Sequence, residues 1–325
     1  MVTRRKVILA LGAGVLTAPL ASITTRAQAY PTRPVRIIVG FPKGGPVDIA
    51  ARVISPWLSD RLGQPFVVEN HPGESGNIAT GEVVKALPDG YTLLLCGPVN
   101  TINTTLFENL NINFTRDITP VASIFRVPLV VEINPSFNVR TVPEFLNYAK
   151  SHPGEIKVAY AGNGTPQHIG IELFKMMAGV DLRLVPYLGS APALADLLSG
   201  QVQMMFDPIP SSIGHIRSGK LIPLAVTGPT PSDVLPNVPV MSKFVPGYEA
   251  GSWFGIGAPK DTPADIVKKL NTEVNAGLAD EKIKERLAEL GATPMFGTST
   301  EFGAFIASET NKYREVIREA KITAK

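Results

Sequence analysis

Twice in this chain a short, β-branched run empties into a bend rich in glycine and proline and reopens at once as an amphipathic helix. The first instance is Val35-Arg-Ile-Ile-Val39, then Gly40-Phe41-Pro42-Lys43-Gly44-Gly45-Pro46, then a helical stretch from Asp48. The second is Lys157-Val-Ala-Tyr160, then Gly162-Asn-Gly-Thr-Pro-Gln-His168, then a helix through Met177. Strand, bend and helix in that order build parallel sheets covered by helices, and such sheets bind ligands beyond the carboxyl ends of their strands. Glycine lets the bend approach a ligand closely, and each helix start leaves N–H groups with no internal acceptor. Both bends are therefore candidate anion cradles.

A length of 325 residues suits two lobes rather than one core. The first helix is expected to end near Leu62-Gly63, with a strand at Phe66–Glu69, a helix at Ile78–Ala86 and a strand carrying Cys96. This puts bends 40–48 and 96–104 on the ligand side. Pro128–Ile133 reads as an extended run leaving the first lobe and Ser252–Ala258 as the run returning to it. The first lobe is thus discontinuous, 30–126 and 252–325, and the second spans 127–251. Within the second lobe fall strands Arg183–Tyr187, Val202–Phe206 and Leu221–Thr227 and a helix Ala191–Leu198. Pro263–Leu278, Glu281–Leu290 and Thr300–Glu319 read as amphipathic helices padding the first lobe, their charges solvated.

Residues 1–29 read as a secretory leader: Arg4, Arg5 and Lys6, an uncharged stretch, then Ala27-Gln28-Ala29, with cleavage expected after Ala29 by Sec or twin-arginine export. The leader holds four basic residues and no acidic ones, so its removal turns a formal charge of +3 into −1. A near-neutral chain without basic blocks has no electrostatic footprint for nucleic acid. The single cysteine, Cys96, forms no internal disulfide and reads as core packing inside a buried strand.

Four scattered histidines lack metal-ligand spacing, Gly44 belongs to no Walker sequence, and Gly162-x-Gly164 lacks the third glycine of the dinucleotide fingerprint. No nucleophile with a base, and no paired acid and base, stands out, so an enzyme is not expected and neither a cofactor nor a metal is called for. His168, in the first turn of the second helix, either donates to a ligand or caps and packs. Asp207, after a strand on the cleft side, either accepts from a ligand or holds its loop. Trp253 and Phe254 read as packing on the crossing strand.

Ordered blocks along the mature chain resemble the Bug family, the substrate-binding proteins of tripartite tricarboxylate transporters. They are Tyr30-Pro31 through Asp48, Asn70–Asn77, Pro88–Tyr91, Gly162–His168, Pro186–Pro192, Gly200–Asp207 and Ser252–Gly255. The resemblance implies an α/β type II periplasmic-binding-protein fold, two Rossmann-like lobes joined by a hinge, and a ligand carboxylate held by the first and second loops. The ligand-binding residues are then expected among Phe41, Gly44, Gly45, Val47, Asp48, Asn77, Pro98, Gly162, Asn163, Gly164, Thr165, Gln167, His168 and Asp207. It further implies a monomer in the periplasm that delivers a di- or tricarboxylic or aromatic acid to membrane permease subunits. A sensory partner of a receptor, or an exported enzyme acting on a small acid, are the alternatives. The first loop departs from the family's common Pro-Pro-Gly-Gly-Ser/Thr-Thr-Asp: Lys43 replaces a proline, Pro46 lacks an N–H and Val47 lacks a hydroxyl. A more apolar pocket, suited to an aliphatic or aromatic acid rather than citrate, is the expectation.

Overall fold

The computed structural model describes residues 30–107 and 110–324; the expected leader lies outside them. β1 (Val35–Val39) is buried at every position but Arg36, and it lies between two parallel partners, as an apolar run without alternation predicts. It leads into α1 (Pro46–Leu62), which ends on Gly63 in the left-handed conformation. β2 (Phe66–Asn70), α2 (Asn77–Val84), β3 (Thr92–Cys96), α3 (Pro98–Leu106) and a single turn α4 (Phe114–Asp117) follow. The expected loop at 96–104 is mostly this third helix. The prolines and asparagines of Pro98-Val-Asn-Thr-Ile-Asn read as a turn, yet Pro98 takes the first helical position, where its missing N–H costs nothing.

β4 (Ile118–Ile133) is far longer than the expected run from Pro128. Pro120 and Pro128 break the sequence signal for a strand, but the structure seats both opposite glycines, Gly257 and Gly251, and the register shifts between Pro120 and Ala122. The chain continues through α5 (Val142–Ser151), β5 (Lys157–Tyr160), α6 (Pro166–Ala178), β6 (Arg183–Pro186), α7 (Ser190–Leu198), β7 (Met204–Pro208), α8 (Ile209–Arg217) and β8 (Ile222–Val226). It closes with β9 (Gly251–Pro259), α9 (Ala264–Ala279), α10 (Glu281–Glu289), the short β10 (Thr293–Pro294) and α11 (Ser299–Glu319).

Two sheets share β4. Its first part pairs antiparallel with β9, which joins β3 and so the order β2-β1-β3-β9-β4; its last part, Leu129–Ile133, pairs with β7 and β8. Beyond β7 lie β5 and β6, parallel to it. Each sheet carries its own core. Ile38, Leu94, Cys96, Trp253 and Phe302 pack on the first, while Phe145, Phe174, Phe206 and Tyr248 pack on the second. The α11 helix presses so closely on β9 that a Cβ at Gly255 would lie 2.2 Å from Phe302 Cζ. Cys96 is fully buried, its thiol donating to the Gly255 carbonyl at 3.3 Å. The fold is mixed α/β, as expected. Pro31–Lys325 forms one compact unit, and among the described residues no helix is long and apolar enough to cross a membrane.

Candidate functional site

The two sheets' carboxyl-end loops border a hollow made of two adjoining cavities. Its inner part is a chamber of about 40 Å³, and its outer part a cavity of about 1020 Å³; both are lined by Gly40, Phe41 and Ala161. The chamber wall is built largely of helix starts: Gly45-Pro46-Val47 of α1, Gly97 to Asn100 of α3, Thr165-Pro166-Gln167 of α6, Ser190 of α7 and Pro208, the cap of α8. Proline occupies the first position of α1, α3 and α6, and the third amides of α3 and α6 are spent on the Gly97 carbonyl and the Thr165 hydroxyl, so donation falls to the second amides, those of Val47, Val99 and Gln167. Among the described residues no ionisable side chain lies on this wall. Each helix end is worth about 0.3–1 kcal/mol to an anion, up to ~2 when partly buried, and each hydrogen bond to a charged acceptor about 1.5–3 kcal/mol.

Of the residues expected from sequence, Phe41, Gly45, Val47, Pro98, Thr165 and Gln167 line the chamber, and Phe41, Asn77, Gly162 and Asn163 line the outer cavity. Gly44, Asp48, Gly164, His168 and Asp207 line neither; they hold the loops that do. Gly44 sits at φ +87, and its N–H donates to Asp48 at 2.9 Å. Arg52 and Asn70 also donate to Asp48, and Asn70 reaches the Phe41 carbonyl. Burial pushes the Asp48 carboxyl up, but these donors outweigh it and hold it below the usual carboxylate range. In the second loop Thr165 caps α6, accepting from the His168 N–H and donating to the Gly162 carbonyl. The His168 ring stacks on Tyr160 at 5.0 Å and accepts from the Gly164 N–H through Nδ1. Burial, with Lys175 adding to it, lowers its pKa to about 4, so the ring is neutral and packs.

Behind the chamber wall lies a buried polar network that sequence reasoning reached as site residues only at Gln167 and Asp207. The Gln167 amide donates to Asp207 Oδ1 at 3.0 Å and to Ser190 Oγ at 3.1 Å, while Ser190 donates to Asp207 at 2.5 Å. Ser211 and Ser212 donate to the other Asp207 oxygen, and Ser212 also reaches Glu132 at 2.6 Å. Both carboxyls are fully buried. Burial, then the neighbouring Asp207 charge, raises the Glu132 carboxyl well above its ordinary value. Burial raises the Asp207 carboxyl too, but four side chains donate to it and oppose that rise, whereas only Ser212 donates to Glu132, so Glu132 is the partner held toward its protonated form. The sequence signal was available: Glu132 interrupts the apolar run Pro128-Leu-Val-Val-Glu-Ile133. Both amide protons of Gln167 are thereby committed, which fixes its side chain at the wall.

Ser252 of β9, which the sequence placed only at the start of the run returning to the first lobe, lies on the chamber wall, 5% exposed, and no hydrogen bond ties its hydroxyl among the described residues. The loop of α7 closes on the first bend, where a Cβ at Gly189 would stand 2.7 Å from Pro42 Cδ. At the mouth Glu74 and Ser75 both adopt positive φ, a conformation costly for non-glycine residues.

Residues 50–322 match the sequence profile of the family described as tripartite tricarboxylate transporter family receptor. The chain is 36% identical to protein BugT of Bordetella pertussis over 318 residues, 97% of each protein. Among solved structures it is similar to R. palustris Rpa4515 with adipate, with TM-score 0.88 and 38% identity over 90% of this chain and 99% of that one. It is also similar to MatC from Rhodopseudomonas palustris with bound malate, with TM-score 0.84 and 32% identity over 89% of this chain and all of that one.

Proposed function

This chain belongs to the tripartite tricarboxylate transporter receptor family of periplasmic solute-binding proteins, which are not enzymes, and from that premise we propose that it captures a small carboxylate for a membrane permease. One observation carries the reading: a chamber ringed by the starts of α1, α3, α6 and α7, without any charged side chain on its wall. Backbone amides there supply positive potential in a place water cannot easily screen, which suits a carboxylate and offers nothing to a cation. The adipate and malate held by similar structures support the same class of ligand.

The two sheets on either side of the hollow are the two lobes of this proposal, 30–126 with 252–325 and 127–251, hinged where β4 and β9 run between them. The ligand binds the closed arrangement better than the open one, and that difference drives closure. Export with cleavage near Ala29 and a monomeric mature chain complete the reading.

The test is thermal unfolding of the mature chain, stripped of ligand by unfolding and refolding, against a panel of small carboxylates, their primary amides and neutral sugars. Carboxylates are expected to raise the melting temperature and their amides not to. Stabilisation by sugars or amides alone, with no carboxylate active, sinks the proposal. Loss of uptake of the same acid when the neighbouring permease subunits are deleted tests the transport partnership.

A further inference from the structure

We infer that the ligand is a single-headed acid, with one carboxylate in the chamber and an apolar or aromatic body in the outer cavity. This rests on the carboxylate reading above and narrows it. The first ground is size. A water needs roughly 10–15 Å³ of cavity volume, so a chamber of about 40 Å³ admits the three heavy atoms of a carboxylate and little more. The body of the ligand must occupy the outer cavity, whose 1020 Å³ leaves ample room for it.

The second ground is the chemistry of the two walls. The chamber offers helix-start amides and the Ser252 hydroxyl, carried by a residue only 5% exposed and tied by no hydrogen bond among the described residues. Asn100, Thr165, Gln167 and Ser190 are each tied to other protein groups. The outer wall is different in kind: Phe41, Pro42, Phe107, Leu110, Tyr187 and Leu188 dominate it, and Leu188 is 73% exposed. Among the described residues its ionisable groups are Glu74 and Tyr187, and the Tyr187 hydroxyl is spent on Asp196 at 2.7 Å. Among the described residues neither wall carries a lysine, arginine or histidine; Lys43, beside Pro42, is exposed and on neither. A second carboxylate in the outer cavity would meet the negative charge of Glu74 with no cation to offset it, whereas an aliphatic chain or ring buries apolar surface there.

The experiment is calorimetric titration of the stripped mature chain with hexanoate, phenylacetate, adipate, citrate and hexanamide. Hexanoate and phenylacetate are expected to bind at least about tenfold more tightly than adipate or citrate, and hexanamide not to bind, since the head then lacks charge. Ser252→Ala is expected to weaken hexanoate about tenfold while the melting temperature without ligand stays unchanged. Leu188→Arg, at an exposed position, is expected to raise adipate affinity several-fold by giving a second carboxylate a counter-charge. Adipate or citrate binding as tightly as hexanoate overturns the inference while leaving the carboxylate reading intact, and so does a Leu188→Arg protein with no gain for adipate. Failure of every acid to bind removes both.

Discussion

Gln167 and Asp207, forty positions apart in sequence, are joined by a 3.0 Å hydrogen bond in which the amide on the chamber wall donates to a carboxylate fully buried behind it. The same carboxylate takes the Ser190 hydroxyl, so the starts of α6 and α7 are anchored to the end of β7 through one side chain. The carboxylate never meets solvent, and its role is to hold two wall residues in register with each other.

Asp207→Asn tests that anchoring. An amide can accept on one side only, leaving buried hydroxyls of Ser190, Ser211 or Ser212 short of an acceptor. A buried donor left unpaired costs about 1–3 kcal/mol. The variant is expected to unfold at lower urea by that amount and to bind its carboxylate more weakly, as Gln167 loses its fixed orientation. Urea titration with and without ligand separates the two effects; unchanged affinity in a destabilised variant would mean that Asp207 serves the core alone.

Stability should respond to pH from both sides. His168 is held neutral in the folded chain, with its pKa lowered to about 4 from 6.5, mainly by burial. Its contribution is complete above about pH 6.5 and is lost as pH falls toward 4, on the order of 3 kcal/mol at most. Glu132 runs oppositely. Its raised pKa means that the folded chain holds a proton the unfolded chain has released, so its contribution is complete below the ordinary glutamate range and is lost as pH rises through the raised value. Glu132→Gln, which keeps a neutral side chain of the same shape beside Ser212, is expected to flatten the alkaline limb of stability against pH. His168→Gln is expected to flatten the acid limb. Unaltered limbs in chemical denaturation across pH 4 to 9 would contradict these assignments.

Gly255→Ala should be among the costliest small substitutions. The added methyl would meet Phe302 Cζ at 2.2 Å and the Ala122 carbonyl at 2.8 Å, the second being backbone that has little room to retreat. Overpacking of this sort costs about 1–3 kcal/mol. Phe302→Leu in the same chain is expected to recover part of the loss and not all of it, a non-additivity that a double-mutant cycle on melting temperatures reads directly.

Cys96 should behave as an inert core residue. It is fully buried, burial pushes its thiol up, and its proton is engaged with Gly255. A thiol reagent is expected to leave the native protein unlabelled at neutral pH and to label it stoichiometrically in denaturant. Prompt labelling of the native state would place the thiol at the surface instead.

Local chemistry is what the chain declares on its own. Val35–Val39 and Lys157–Tyr160 are strands because their residues suit a buried sheet, Gly44 and Gly162 turn the chain where positive φ is needed, and the helices after them begin where Pro46 and Thr165-Pro166 permit. These are short-range preferences, written within a dozen residues, and they sufficed to read the α/β class and two of the helix starts that line the chamber. Contacts between distant segments are what folding alone decides. Pro120 and Pro128 hide the length of β4 until glycines of β9 stand opposite them. Ser252 looks like any strand serine until the helix starts of the chamber wall stand around it, and Glu132 is only an oddity in an apolar run until Ser212, 80 positions on, meets it. Burial and hydrogen-bond partnership belong to pairs of groups brought together by the tertiary structure, so whether a side chain faces the ligand or braces the wall behind it is settled only when both partners are in place.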